Sequence, residues 1–62
     1  MDRQTKLKIA RLKLGLTQQD LAEKVGVSRQ TINNFETGKI QPKDKTLDLI
    51  CEILKIKKKC LK

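Results

Sequence analysis

Apolar residues recur at helical spacing in four short stretches of this 62-residue chain, and segments containing glycine or proline separate the stretches. The clearest separation is at Gly26, a residue type suited to the left-handed conformation that stops a helix. Ser28 follows two positions later and is a good N-cap for a further helix. The pattern therefore predicts two short helices joined by a tight turn, over about residues 18–25 and about residues 29–37.

Polar residues and glycines at the ends of these stretches support the same division. Thr17 can cap the helix that follows it, and Asp20 stands three residues later, which is the spacing of a capping box. A preceding helix is predicted over about residues 4–14, because its apolar residues share one side and Gly15 then ends it. Together the stretches predict a single all-α domain over residues 1–62, built around a helix-turn-helix.

The second helix of the pair carries a polar face without a carboxylate. At about 100° per residue, this face consists of Arg29, Gln30, Asn33, Asn34 and Thr37. A merely solvated face more often mixes Glu and Lys, since these residues form helices better than Asn and pair with each other along the helix. Arg can bond to the O6 and N7 atoms of guanine, and Gln or Asn to the N6 and N7 atoms of adenine. These residue types therefore predict contacts with base edges in the major groove of DNA.

The spacing of many residues resembles that of a known family, the Cro and lambda-repressor-like (XRE) helix-turn-helix proteins. The resemblance runs from about residue 7 to about residue 54. It rests on Arg11, Gly15, Leu16, Thr17, Gln18, Leu21, Ala22, Gly26, Val27, Ser28, Ile32, Glu36, Gly38, Lys39 and Pro42. It implies a lambda-repressor-like bundle of four helices that binds double-stranded DNA and regulates transcription.

The resemblance also implies roles for individual residues. The residues implied to read bases are Arg29, Gln30, Asn33 and Asn34. The residues expected to contact the sugar-phosphate backbone are Thr17, Gln18, Ser28, Thr37, Lys39, Gln41 and Lys43. Arg11 and Glu36 are implied to pair inside the protein, which would explain a carboxylate so near the predicted DNA-binding face.

A fourth helix is predicted over about residues 45–54 with Asp44 as its cap, although relatives often have an apolar residue at that position. Its apolar positions spread over about 220° of the helical wheel, which is more than core burial needs. The surplus positions are Leu49, Ile53 and Ile56. Relatives often add a fifth helix, whereas this chain has a basic tail over residues 55–62. Either the wide arc packs on a partner subunit or a short fifth turn folds Leu61 over it. We favour a homodimer, which forms either in solution or only on DNA.

Composition narrows the class of partner. The formal charge of +8, from 15 Lys and Arg against 7 Asp and Glu, favours a polyanion, because neutralised phosphates release counterions. Two cysteines without histidine argue against a zinc site, with Cys51 expected in the core and Cys60 as a free thiol. No catalytic constellation is evident, so no enzyme, cofactor or small-molecule ligand is expected. The lack of a long apolar run argues against a membrane span or signal peptide and favours a cytoplasmic protein.

The leading interpretation is a sequence-specific regulator, most simply a repressor, of a phage, mobile element or bacterial operon that binds an inverted repeat. One alternative is an antitoxin-like protein-interaction module that uses the same fold to hold a protein partner. Another is a basic protein that binds polyanions or membrane surfaces without specificity. Preference for one DNA over random DNA by about 10³-fold would separate the first class from the third, and co-purification would identify the second.

Overall fold

Four helices and no strand make up the part of the chain that the computed structural model describes, residues 2–57. They are α1 (Arg3–Lys13), α2 (Gln18–Val25), α3 (Arg29–Thr37) and α4 (Asp44–Leu54). Helix α3 packs against α1 and α2, and α4 also contacts both of these helices. The predicted all-α bundle of four helices is thereby confirmed. The predicted thiol at Cys60 and the predicted turn at Leu61 lie outside the described residues.

One apolar core lies where the four helices meet. Its buried residues are Leu7, Leu21, Ala22, Ile32, Phe35, Leu47, Ile50, Cys51 and Leu54. Cys51 is buried in this core, as predicted. Helices α2 and α3 have only eight and nine residues, so neither would be stable as an isolated helix in water. Their shared core therefore fixes the orientation of α3, the helix with the polar face.

The turn between α2 and α3 follows the predicted chemistry. Gly26 ends α2 in the left-handed conformation, with φ of 89°, and its N–H donates to the carbonyl oxygen of Ala22 at 2.8 Å. The next N–H, from Val27, donates to the same carbonyl oxygen at 3.0 Å, and the Val27 side chain packs against the core. The Ser28 side chain then caps α3 by accepting from the N–H of Thr31 at 3.2 Å. Residues 18–37 thus form the predicted helix-turn-helix.

The predicted bounds of two helices need correction. Helix α1 begins and ends one residue earlier than predicted; it ends at Lys13, because the N–H of Leu14 turns back to the carbonyl oxygen of Arg11 in a tighter turn before Gly15. Helix α4 has Lys43 at its N-cap position, with no side-chain cap hydrogen bond, whereas the predicted cap, Asp44, is the first helical residue. The N–H of Leu47, a core residue, donates to the carbonyl oxygen of Lys43 at 2.7 Å, so the first helical hydrogen bond already begins at Lys43. The Asp44 carboxylate still lies in the first turn, where negative charge is favourable.

The apolar arc of α4 is less exposed than the helical wheel suggested. Leu49 is 39% exposed, but Ile53 and Ile56 are half-buried and pack against the core. Helix α4 ends at Leu54, and its C-cap residue Lys55 adopts the left-handed conformation with φ of 59°, which turns the chain back over the helix. Ile56 follows this turn, and its N–H donates to the carbonyl oxygen of Cys51 at 3.0 Å. Of the three surplus residues, Leu49 is therefore the one most available to a partner.

Candidate nucleic-acid interface

The start of α2 is held by a reciprocal pair of hydrogen bonds. The Thr17 hydroxyl accepts from the N–H of Asp20 at 3.0 Å, and the Asp20 carboxylate accepts from the N–H of Thr17 at 3.0 Å. Hydrogen bonding of the Asp20 carboxylate, first to the Thr17 backbone N–H and then to the Thr17 side chain, holds the pKa of Asp20 below its usual range. The capping box predicted from the spacing is confirmed, and it fixes the position of the next residue, Gln18.

The polar face of α3 is presented to solvent at its N-terminal end. Arg29 and Gln30 are exposed, as is Thr37 at the other end of the helix, whereas Asn33 and Asn34 are half-buried. Gln30 Nε2 donates to Asn34 Oδ1 at 3.1 Å, so these two amides form a linked pair one turn apart. Within residues 2–57, no protein oxygen accepts a hydrogen bond from the Arg29 guanidinium. The helix thus offers an unpaired cation and amide groups on one surface.

The single carboxylate of α3 does not belong to that surface. Glu36 points inward with a side chain only 4% exposed, and its Oε2 lies 2.7 Å from Arg11 Nε. Arg11 Nη2 also donates to Glu36 Oε1 at 3.1 Å, and Arg11 Nη1 donates to the carbonyl oxygen of Leu16 at 2.7 Å. The structure therefore brings together Arg11 and Glu36 as a buried two-bond pair that ties α1 to α3. The exposed face of α3 is left without negative charge.

The Gln18 side chain links the start of α2 to this pair. Gln18 Nε2 donates to Glu36 Oε1 at 3.2 Å and to Asn33 Oδ1 at 3.2 Å. An amide nitrogen carries two hydrogens, so both are directed to oxygens within the protein. Because Gln18 lies 15 residues from Asn33 and 18 from Glu36, no periodicity could have indicated these contacts. The family resemblance implies a phosphate contact for Gln18, and nothing in the sequence indicated its hydrogen bonds inside the domain.

The segment after α3 places more cations beside the same surface. Lys39, Gln41 and Lys43 are exposed, whereas Pro42 between them is buried and anchors the segment to the bundle. The N–H of Ile40 donates to the carbonyl oxygen of Asn34 at 3.3 Å, which holds the segment against the end of α3. Lys39 and Lys43 therefore stand on an anchored loop next to the C-terminal end of α3.

We also searched residues 2–57 for a metal site and for a membrane-spanning helix. No group of three or more His, Cys, Asp or Glu side chains in this range is arranged to hold a metal ion. None of the four described helices is both long and apolar enough to cross a membrane. The feature that remains is a short, capped helix with a cationic and amide-bearing face, carried on a helix-turn-helix scaffold. Such a scaffold and face define the class of helix-turn-helix DNA-binding domains.

Comparison with known families agrees with this class. Residues 7–58 match the family model described as helix-turn-helix, so the match covers most of the chain. The chain belongs to this helix-turn-helix family. The family is one of DNA-binding regulators and not of enzymes, as the sequence predicted.

Curated relatives are HTH-type transcriptional regulators described as uncharacterised. One from Methanocaldococcus jannaschii is 48% identical over 52 residues, covering 84% of this chain and 79% of that protein. One from Archaeoglobus fulgidus is 40% identical over 53 residues, covering 86% of this chain and 75% of that protein. One from Methanothermobacter thermautotrophicus is 59% identical over 32 residues, covering 52% of this chain and 46% of that protein. These three relatives are archaeal, whereas the sequence had suggested a phage or bacterial setting.

Proposed function

We propose that this protein is a sequence-specific transcriptional repressor that binds double-stranded DNA in the cytoplasm. One observation carries the proposal: the carboxylate of α3 is buried against Arg11, while Arg29 and Gln30 stay exposed. Burying that negative charge removes repulsion between the helix face and DNA, and the remaining groups match guanine and adenine edges. The archaeal relatives extend the proposed setting from phage, mobile-element and bacterial operons to archaeal ones.

Base reading is assigned to the exposed and half-exposed amides and guanidinium of α3. The proposed readers are Arg29, Gln30, Asn33 and Asn34. Backbone positioning is assigned to residues at the ends of α2 and α3 and in the following loop. The proposed phosphate contacts are Thr17, Ser28, Thr37, Lys39, Gln41 and Lys43. Gln18 completes this set of proposed phosphate contacts, and its bonds to Asn33 and Glu36 hold its side chain beside α3.

Selection of binding sites from a random DNA pool tests the proposal. We expect one enriched sequence that outcompetes random duplex by about 10³-fold or more. Gln30→Ala should then cost about 1–3 kcal/mol on the selected site and much less on random duplex. Lys39→Ala is the matched comparison, and it should weaken binding to both DNAs about equally. It should also reduce by about one the slope of the logarithm of affinity against the logarithm of salt concentration. Failure to enrich any sequence, or equal losses on both DNAs for Gln30→Ala, would contradict base reading by α3.

We also propose that two copies bind an inverted repeat. One recognition helix spans only a few base pairs, so useful discrimination needs two helices about 34 Å apart, one turn of DNA. The proposed interface is the outer side of α4, with Leu49 at its centre and Ile53 and Ile56 at its edge. Because only Leu49 is well exposed, the apolar contact is small. Association should then be weak in solution and completed on DNA, where the bound neighbour raises the local concentration.

The interface is tested by charge substitution at Leu49. Ile53 is unsuitable because it packs against the core, so a charge there would also disturb the fold. Leu49→Glu and Leu49→Lys change the net charge in opposite directions but should both abolish cooperative binding to the full repeat. Binding to a single half-site should persist, measured by gel shift and sedimentation. Cooperative binding by either variant equal to that of the wild type would place the interface elsewhere.

A further inference from the structure

The outer face of α4 carries opposite charges on either side of Leu49. Lys45 lies one turn before Leu49 and Glu52 one turn after it, so the three side chains fall within about 60° of the helical wheel. All three residues are exposed, whereas the opposite face of α4 is buried in the core. This stripe therefore has an apolar centre, a cation towards the start of the helix and an anion towards its end.

Neither of these charges has a partner inside the domain. Among residues 2–57, the Lys45 ammonium and the Glu52 carboxylate form no hydrogen bond or ion pair. They stand two turns apart, whereas ion pairs along one helix join residues three or four apart. Asp48, which is also exposed, points about 100° away from Leu49 on the wheel and lies off the stripe. Both charges of the stripe are thus available to a group outside the domain.

The stripe is complementary to a second copy of itself. In two antiparallel α4 helices that touch at Leu49, Lys45 lies about 6 Å along the axis from the contact. Glu52 of the partner subunit then lies about 4.5 Å along the axis in the same direction, beside that lysine. The two-fold axis repeats the pair on the other side of the contact. A parallel arrangement would instead place lysine against lysine and glutamate against glutamate.

We propose that two copies associate through antiparallel α4 helices, with reciprocal ion pairs between Lys45 of each copy and Glu52 of the partner subunit. This inference rests on the proposed binding of two copies to an inverted repeat, and it adds the orientation of the contact and the groups that select the partner. The apolar contact at Leu49 is small and has no direction of its own. The charges therefore fix the register and exclude partners with a different charge pattern.

Charge reversal tests the pairing on the inverted repeat and on a single half-site of the selected sequence. Cooperativity is measured as the affinity for the full repeat relative to two independent half-site events, so changes in overall attraction to DNA cancel. Lys45→Glu and Glu52→Lys each make both pairs repulsive, and each should lower cooperativity about tenfold or more. They alter the net charge in opposite directions. Both put a charge where the helix dipole favours it, so the domain should stay folded, as half-site affinity and circular dichroism will show.

Two combinations should restore the cooperativity that the single variants lose. The double variant with Lys45→Glu and Glu52→Lys exchanges the charges and regains both pairs. An equimolar mixture of the single variants does the same, because an all-negative stripe then meets an all-positive one. Both should come within about threefold of the wild type. Lys8→Glu is the matched control on exposed α1, and it should change cooperativity less than about twofold.

The outcomes separate this pairing from the proposed function. Cooperativity in the single variants equal to that of the wild type would refute the pairing, as would failure of the double variant to recover. In either case two-copy binding by the wild type would still stand. A wild type that binds the full repeat no better than two independent half-sites would refute two-copy binding and the pairing together.

Discussion

Removal of one partner of the Arg11 and Glu36 pair should destabilise the domain more than removal of both. The pair is buried, with side-chain exposures of 7% and 4%, and Glu36 Oε1 accepts hydrogen bonds from both Arg11 and Gln18. Arg11→Met leaves the Glu36 carboxylate buried with only a neutral amide donor. Glu36→Leu leaves the guanidinium with only the Leu16 carbonyl oxygen. In either variant a charge remains buried without its opposite.

The magnitude is large for a domain of this size. Leaving one member of a buried ion pair uncompensated costs about 3–5 kcal/mol. A chain of 62 residues has a free energy of unfolding of about 3–9 kcal/mol at typical values per residue. Either single variant should therefore lose about a third or more of the domain's free energy of unfolding at 25 °C. The double variant replaces the pair with apolar side chains of similar length and should recover much of the loss.

Urea denaturation followed by circular dichroism measures this cycle. The expected loss in the double variant is smaller than the sum of the single losses by about 2 kcal/mol or more. Glu36→Gln removes the negative charge but keeps an acceptor for Arg11, so it should lose less stability than Glu36→Leu. A coupling below about 0.5 kcal/mol would equal that of an ordinary exposed pair. The reasoning from burial would then be refuted.

Three further predictions concern backbone conformation and pH. Gly26→Ala should lower the free energy of unfolding by about 1–2 kcal/mol, because φ is 89° and the added Cβ meets no atom within 4 Å that could compensate or clash. Lys55→Gly should raise the free energy of unfolding by roughly 0.5–1 kcal/mol, since Lys55 holds a left-handed conformation at the end of α4. Chemical denaturation measures both changes. Denaturation midpoints equal to that of the wild type would contradict the expected backbone strain. The lowered pKa of Asp20 means that its contribution is present above its ordinary pKa of 3.8 and is lost as pH falls through the lower folded value. Asp20→Asn should therefore reduce the fall in melting temperature as the pH is lowered. An equally steep fall in the variant and the wild type would disprove this.

Local chemistry made the fold predictable from the sequence. The capping box of Thr17 and Asp20 and the left-handed Gly26 each act over three or four residues, so their spacing alone indicated the helix ends. The start of α4 was mispredicted because a good capping residue, Asp44, stands one position inside the helix. There the packing of the apolar face outweighed the preference of a single side chain.

The site was only partly predictable, for a different physical reason. The polar face of α3 follows from helical periodicity, and the loop cations follow from their place in the chain. The inward turn of the Gln18 amide does not, because it depends on the meeting of α1, α2 and α3 around Glu36. The exposure of Ile53 was likewise overestimated, since a helical wheel shows direction but not how closely the core and the turn at Lys55 enclose a residue.

The separation of roles along α3 has an evolutionary consequence. Ile32 and Phe35 are buried in the core and Glu36 in the ion pair, whereas Arg29 and Gln30 are exposed. Replacing Arg29 or Gln30 would change which bases the helix can contact at almost no cost in folding stability, as is usual for exposed positions. Asn33 is constrained by Gln18, so its replacement needs a second change to remain compatible. Retargeting of this scaffold to new operators should therefore begin at the N-terminal turn of the helix and reach its middle only through paired substitutions.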